Sequence, residues 1–129
     1  MSNPIKILIV DDEMDVEMLF RQQFRKEIRS GMLELDFAFS GEEALKLLGE
    51  EAPPQVVYVF SDINMPGMTG LELLEKMQSR FPQVKVSMIS AYGDRENFNK
   101  AMSFGAKGFF TKPIDFKALK DEVQKIIPK

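Results

Sequence analysis

Val56-Val57-Tyr58-Val59-Phe60-Ser61-Asp62-Ile63-Asn64-Met65-Pro66-Gly67-Met68-Thr69-Gly70 is an apolar run that stops at a carboxylate and turns over a Pro-Gly pair toward a helix. A short Val- and aromatic-rich run bounded by turn residues reads as a strand buried on both faces. Pro66-Gly67 keeps the next helix from starting at once, so Asp62 is left at the strand's carboxyl end. In an open parallel sheet that edge holds the working crevice. An Asp after a strand is also an ordinary turn former, so the neighbours of this stretch decide between the two readings.

Upstream, Ile5-Lys6-Ile7-Leu8-Ile9-Val10 is a second nearly continuous apolar run, and it too ends in acid: Asp11-Asp12-Glu13, then Asp15. The pattern after it predicts a helix over 14–29, with Val16, Leu19, Phe20, Phe24 and Ile28 on its inner face and Ser30-Gly31 as its end. Leu33, Leu35, Phe37 and Phe39 alternate as in a half-buried strand. Ser40 and Glu43 form a capping-box pattern before a helix carrying Leu45, Leu47 and Leu48, and Pro53-Pro54 closes that unit.

Downstream of Asp62, Thr69 and Glu72 make a second capping box, followed by Leu71, Leu74 and Met77, with Phe81-Pro82 as the stop. Val84 to Ile89 reads as a fourth strand ending at Ser90-Ala91. Asp94 is placed to cap a fourth helix carrying Phe98, Ala101 and Met102, terminated by Gly105. Gly108-Phe109-Phe110-Thr111 is a short fifth strand running into Lys112-Pro113, and alternation there lets one of the two rings face inward. Asp115 caps a last helix with Leu119, Val123 and Ile126 on its inner face.

Five βα units in strict alternation predict an α/β, doubly wound, flavodoxin-like (βα)5 fold, with a five-stranded parallel sheet in the order 2-1-3-4-5 and helices on both faces. Its switch point lies between strands 1 and 3, where both acidic strand ends fall. The 129 residues are read as one domain, 1–129.

The composition narrows the chemistry. With no Cys and no His, the chain has no thiol nucleophile, no disulfide and no imidazole base, so a bound metal must be a hard cation held by oxygen. No apolar run approaches the ~20 residues of a membrane span, and a cytoplasmic protein without a membrane partner is expected. Residues 1–60 hold 6 basic and 12 acidic side chains, and residues 61–129 hold 11 and 8. That imbalance is too mild for a nucleic-acid surface, but it predicts acids of the first half facing lysines of the second.

The strand ends together offer Asp11, Asp12, Asp62, Ser90 and Lys112. Converging carboxylates repel one another and call for a cation, and Mg2+ accepts one or two carboxylates, waters and a phosphate oxygen. A carboxylate can take a phosphoryl group if nearby positive charge offsets the repulsion between the two anions. Taken singly, each residue has an ordinary reading: helix-capping acids, an unremarkable serine, a solvated lysine, core phenylalanines. Their joint placement at the right strand ends makes those readings the less economical ones.

In these residues the chain resembles the receiver domain of bacterial two-component response regulators, the chemotaxis-regulator-like type. The matching motifs are Ile9-Val10-Asp11-Asp12-Glu13, Ser61 to Gly70, Ser90-Ala91 and Lys112-Pro113, in the family's order within residues 5–127. The resemblance implies a phosphorelay switch, not a turnover enzyme, that takes a phosphoryl group on Asp62 from a sensor histidine kinase, phosphotransfer protein or small phosphodonor. It implies Mg2+, with Mn2+ as a substitute, held by Asp12 directly, Asp11 more loosely, Asp62 and the Asn64 carbonyl. Ser90 and Lys112 would contact the phosphoryl group, Lys112-Pro113 would be a cis peptide, and Phe109 would hold the aromatic switch position. Asn64 and Tyr92 would flank the attacking water and set phosphate lifetime. The expected output face is the fourth helix, fifth strand and last helix, meeting an output domain, a downstream protein or a second copy on phosphorylation.

Two positions depart from the common pattern. Phe109 stands where Tyr is frequent and has no hydroxyl to donate, and Tyr92 is larger than many residues at its position. A flavodoxin-type cofactor binder would need a Gly/Ser/Thr-rich phosphate loop where this chain has Asp-Asp-Glu-Met-Asp. A haloacid-dehalogenase-type phosphatase would separate its two first-strand Asp residues by one, whereas Asp11 and Asp12 are adjacent. A receiver-shaped scaffold that no longer accepts phosphate is disfavoured because no acceptor-site residue is missing. The sequence fits either a single-domain regulator or a receiver from a longer chain.

Overall fold

The computed structural model describes residues 4–50, 55–91 and 95–127. Its elements run β1 (Ile5–Val10), α1 (Asp15–Gln23), α2 (Arg25–Arg29), β2 (Leu33–Ala38), α3 (Gly41–Gly49), β3 (Val56–Asp62), α4 (Gly70–Arg80), β4 (Lys85–Ser90), α5 (Arg95–Ser103), β5 (Gly108–Thr111) and α6 (Phe116–Gln124). The strands form one sheet in the order β2-β1-β3-β4-β5, every neighbouring pair parallel. The doubly wound flavodoxin-like arrangement is therefore as the alternation predicts.

The pleat divides the strand residues between two cores. Leu8, Val10, Val59, Val86 and Met88 join Leu48, Leu73, Leu74, Met77 and Ala101 from α3, α4 and α5 on one side. Ile7, Ile9, Tyr58, Phe60 and Ile89 join Val16, Phe20, Leu119 and Val123 from α1 and α6 on the other. Because both faces are covered, Phe109 packs against the first core and Phe110 against the second. The expectation that only one of these rings faces inward thus fails: it holds for a sheet with a solvated face, which this sheet lacks.

The predicted helix over 14–29 is bent into α1 and α2 at Phe24, whose φ of −105° and ψ of 20° leave the helical region. The hydrogen bonds Phe24 N to Phe20 O and Ile28 N to Phe24 O persist across the bend. Phe20 stacks with Phe24 at 6.2 Å and meets Phe116 edge-on at 5.3 Å, so large rings fill the space beneath the helix. Leu19, expected inside, is 44% exposed, and Glu27 is buried next to a half-buried Ile28.

Both predicted N-terminal signatures form hydrogen bonds. Thr69 and Glu72 make a reciprocal capping box at α4. At α3 only half of the box closes: Ser40 Oγ accepts from Glu43 N, while Glu43 Oε2 reaches the N–H of Phe39. Asp115 Oδ1 accepts from the N–H groups of Lys117 and Ala118 to start α6. On α5, Ala101 is buried, but Phe98 and Met102 are exposed. The expected Pro53-Pro54 break, the Asp94 cap and Tyr92 lie outside the described residues.

Candidate functional site

Strand geometry brings the acids of β1 and β3 to one edge. The Asp11 N–H donates to Ala38 O, extending the β1–β2 ladder by one bond, and Asp11 Oδ1 accepts from Glu13 N at 2.9 Å. Ile63 N donates to Ile89 O and Gly70 N to Ile63 O, holding the chain after Asp62 against both β4 and the start of α4. A Cβ on Gly70 would overlap the Asp62 carbonyl oxygen, so only glycine lets α4 begin this close to the acceptor strand.

Carboxylate oxygens of Asp11, Asp12 and Asp62 all lie within 4.8 Å of one another, with Asp11 and Asp62 buried and Asp12 exposed. Lys112 enters from the end of β5. Its Nζ is 3.2 Å from Asp11 Oδ2, 3.7 Å from Asp62 Oδ2 and 3.9 Å from Glu13 Oε1. Its backbone N–H donates to Ser90 O at 2.8 Å, tying the ends of β4 and β5 together, and the Lys112–Pro113 peptide is cis.

The electrostatics follow from this packing. Burial and the adjacent Asp11, with Asp12 behind it, push the Asp62 carboxyl up to about 6, while Lys112 and the Asn64 N–H pull the other way. Burial alone would lower the Lys112 ammonium, but Asp11, Asp62 and Glu13 outweigh it and hold the lysine above its ordinary value. Three clustered acids and one ammonium leave an excess of negative charge that a divalent ion would neutralise. With oxygen donors only, the set fits Mg2+.

Asp11, Asp12, Asp62 and Lys112 thus converge, and Ser90 is fully buried at the adjoining end of β4. Asn64 is exposed in the β3–α4 loop. Phe109 lies below the edge, half-buried and edge-on to Phe98 at 5.6 Å, beside a cavity of about 410 Å³ that Arg95 and Thr111 also line. Glu13, to which the sequence pattern assigns no role of its own, also pairs with Lys112 and so continues the acidic run of Asp11-Asp12.

Residues 7–124 match the model of the response regulator receiver domain. Sporulation initiation phosphotransferase F of Bacillus subtilis is 33% identical over 123 residues, covering 95% of this chain and 94% of that protein. The response regulator protein PilR of Pseudomonas aeruginosa is 38% identical over 120 residues, and there the chain spans only 25% of the relative's length. Among solved structures, the CheX-CheY-BeF3-Mg2+ complex of Borrelia burgdorferi holds a chain that superposes with a TM-score of 0.84 at 31% identity, covering 98% of this chain and 92% of that one. A family match from β1 to the last residue of α6, carried by a sheet in the expected order with its acids gathered at the switch point, leaves one conclusion: this chain belongs to the receiver domains of two-component response regulators.

Proposed function

We propose that the chain is a phosphoacceptor switch in which Asp62 receives a phosphoryl group from a sensor histidine kinase, a phosphotransfer protein or a small acyl phosphate. The observation that carries this reading is the placement of Asp62, buried, 3.7 Å from the Lys112 ammonium and within 4.8 Å of two further carboxylates. A carboxylate oxygen of Asp62 forms the new bond to phosphorus, and the donor's bond to phosphorus breaks with its electron pair leaving on the donor. Asp11, Asp12, Asp62 and the Asn64 carbonyl would hold Mg2+, or Mn2+ in its place, which supplies positive charge against the phosphoryl oxygens. Lys112 supplies the protein's own share of that charge, and the Ser90 hydroxyl offers a hydrogen bond to the bound group. The chain carries out its own modification and its reversal without turning over a separate substrate.

The output we assign to α5, β5 and α6. A new dianion at Asp62 attracts Ser90 and its strand end, and the space so changed lets the Phe109 ring move against Phe98. The Borrelia relative was captured together with CheX, which supports a protein partner or output domain for this chain, or a second copy of itself. No helix among the described residues is long and apolar enough to cross a membrane, in keeping with a cytoplasmic switch. Intact mass after acetyl phosphate and Mg2+ should show one added phosphoryl group in the native protein and none in Asp62→Asn. Equal labelling of both would refute the acceptor assignment.

A further inference from the structure

One polar cluster, buried at two of its three side chains, plays no part in the acceptor chemistry. Tyr58 lies on β3, 1% exposed, its ring stacked on Phe60 at 4.6 Å. Its hydroxyl is 2.5 Å from Ser87 Oγ on β4 and 3.2 Å from Glu122 Oε1 on α6. The single Tyr58 hydroxyl proton is donated to Glu122, so Ser87 donates to Tyr58. Burial and Glu122 push the phenol up to about 12, which keeps it a donor at any physiological pH. Gly108 of β5 stands opposite Ser87, where a Cβ would come within 3.0 Å of Ser87 Oγ.

These bonds differ in kind from the other contacts of α6 with the sheet. Leu119 and Val123 meet it through apolar packing, which is non-directional. The Gln124 to Glu27 contact, at 3.4 Å, ties α6 to α2 and not to a strand. Among the described residues, the Tyr58 hydroxyl is therefore the directional link between the strands and the body of α6. Its β4 end, Ser87, precedes Ser90 by three residues, or roughly 10 Å of strand.

We infer that Ser87, Tyr58 and Glu122 form a tie that transmits movement of the β4 end to α6, so that occupancy of Asp62 reaches the last helix through the sheet. The tie is buried at Ser87 and Tyr58 and half-buried at Glu122, where Lys125 also pairs with the carboxylate. This rests on the phosphoacceptor reading above and adds the route and its residues. Phe109 has no hydroxyl with which to hold a hydrogen-bonded link, and the tie supplies one in the core instead.

Amide NMR with Mg2+ and beryllofluoride tests the tie in native protein, Tyr58→Phe, Glu122→Ala and Glu122→Gln. Tyr58→Phe keeps the ring and should keep beryllofluoride binding, seen as saturating shifts around Asp62. The shifts it induces in residues 116–124 should fall by more than about half. Glu122→Ala should behave alike, whereas Glu122→Gln, which retains an acceptor oxygen, should keep the native response. Unchanged α6 shifts in Tyr58→Phe, with the Asp62 region saturated, would overturn the tie. Absence of any beryllofluoride shift in native protein would instead count against the phosphoacceptor reading. In that event ligand-free hydrogen exchange decides the tie: Tyr58→Phe should speed α6 amides by about tenfold relative to α4, and equal rates would overturn it.

Discussion

Asp62 is held where its charge is least comfortable, and that has a measurable cost before any ligand binds. Its carboxyl is raised from 3.8 to about 6 in the folded chain, so ionising it is harder in the native state than in the unfolded one. The associated stability is present below pH 4 and is lost as pH rises through about 6. In EDTA, the contribution of Asp62 to the melting temperature should therefore fall between pH 4 and pH 6.5. Asp62→Asn should flatten that profile, and thermal denaturation across the range checks it. Mg2+ should restore stability more at pH 7.5 than at pH 4.5, because a protonated Asp62 is a poor ligand. Lys112→Met removes the nearest cation, 3.7 Å from Asp62, and should slow phosphorylation by acetyl phosphate about 10²-fold while leaving the fold intact. The residues of this cluster were legible because acids that interrupt apolar runs stand out. Glu27 was not: its carboxylate is buried although Arg25, Lys26 and Arg29 around it made the segment look solvated.

Elements were readable where a local hydrogen bond fixes them and less so where tertiary packing does. The Thr69–Glu72 box and the Asp115 cap each depend on residues three apart or fewer, and both starts fall where the sequence places them. Thr69→Ala should cost about 1 kcal/mol in urea denaturation, as loss of an N-cap does. Gly70→Ala, one residue on, should cost about 3 kcal/mol and also impair phosphorylation, since the added methyl meets the Asp62 carbonyl and not a flexible side chain. Normal labelling of a folded Gly70→Ala protein would show that α4 can retreat without disturbing the site. The bend at Phe24 was hidden for the opposite reason. Its cause is how Phe20, Phe24 and Phe116 share one space, and Phe116 lies about ninety residues further along the chain.

For the whole molecule, alternation and short connections were enough to give the sheet order, because parallel strands joined by helices leave few ways to cover both faces. What sequence could not give is lateral: which side chain of α6 meets which strand, and so the Tyr58–Ser87–Glu122 link. Loading the site should be felt on the same side of the molecule. Beryllofluoride with Mg2+ should shift amides of α5, β5 and α6 more than those of α2, α3 and β2. A response confined to the latter group would move the output surface elsewhere. The order β2-β1-β3-β4-β5 has one more consequence. Asp11 and Asp12 follow the first strand, Asp62 ends the third, and Ser90 and Lys112 come from the fourth and fifth. β1 lies between β2 and β3 and pairs Ile7 with Tyr58, about fifty residues away. Labelling at Asp62 is thus a gauge of tertiary assembly: a variant that accepts phosphate at the native rate has brought β1, β3, β4 and β5 into register, whatever else it has lost.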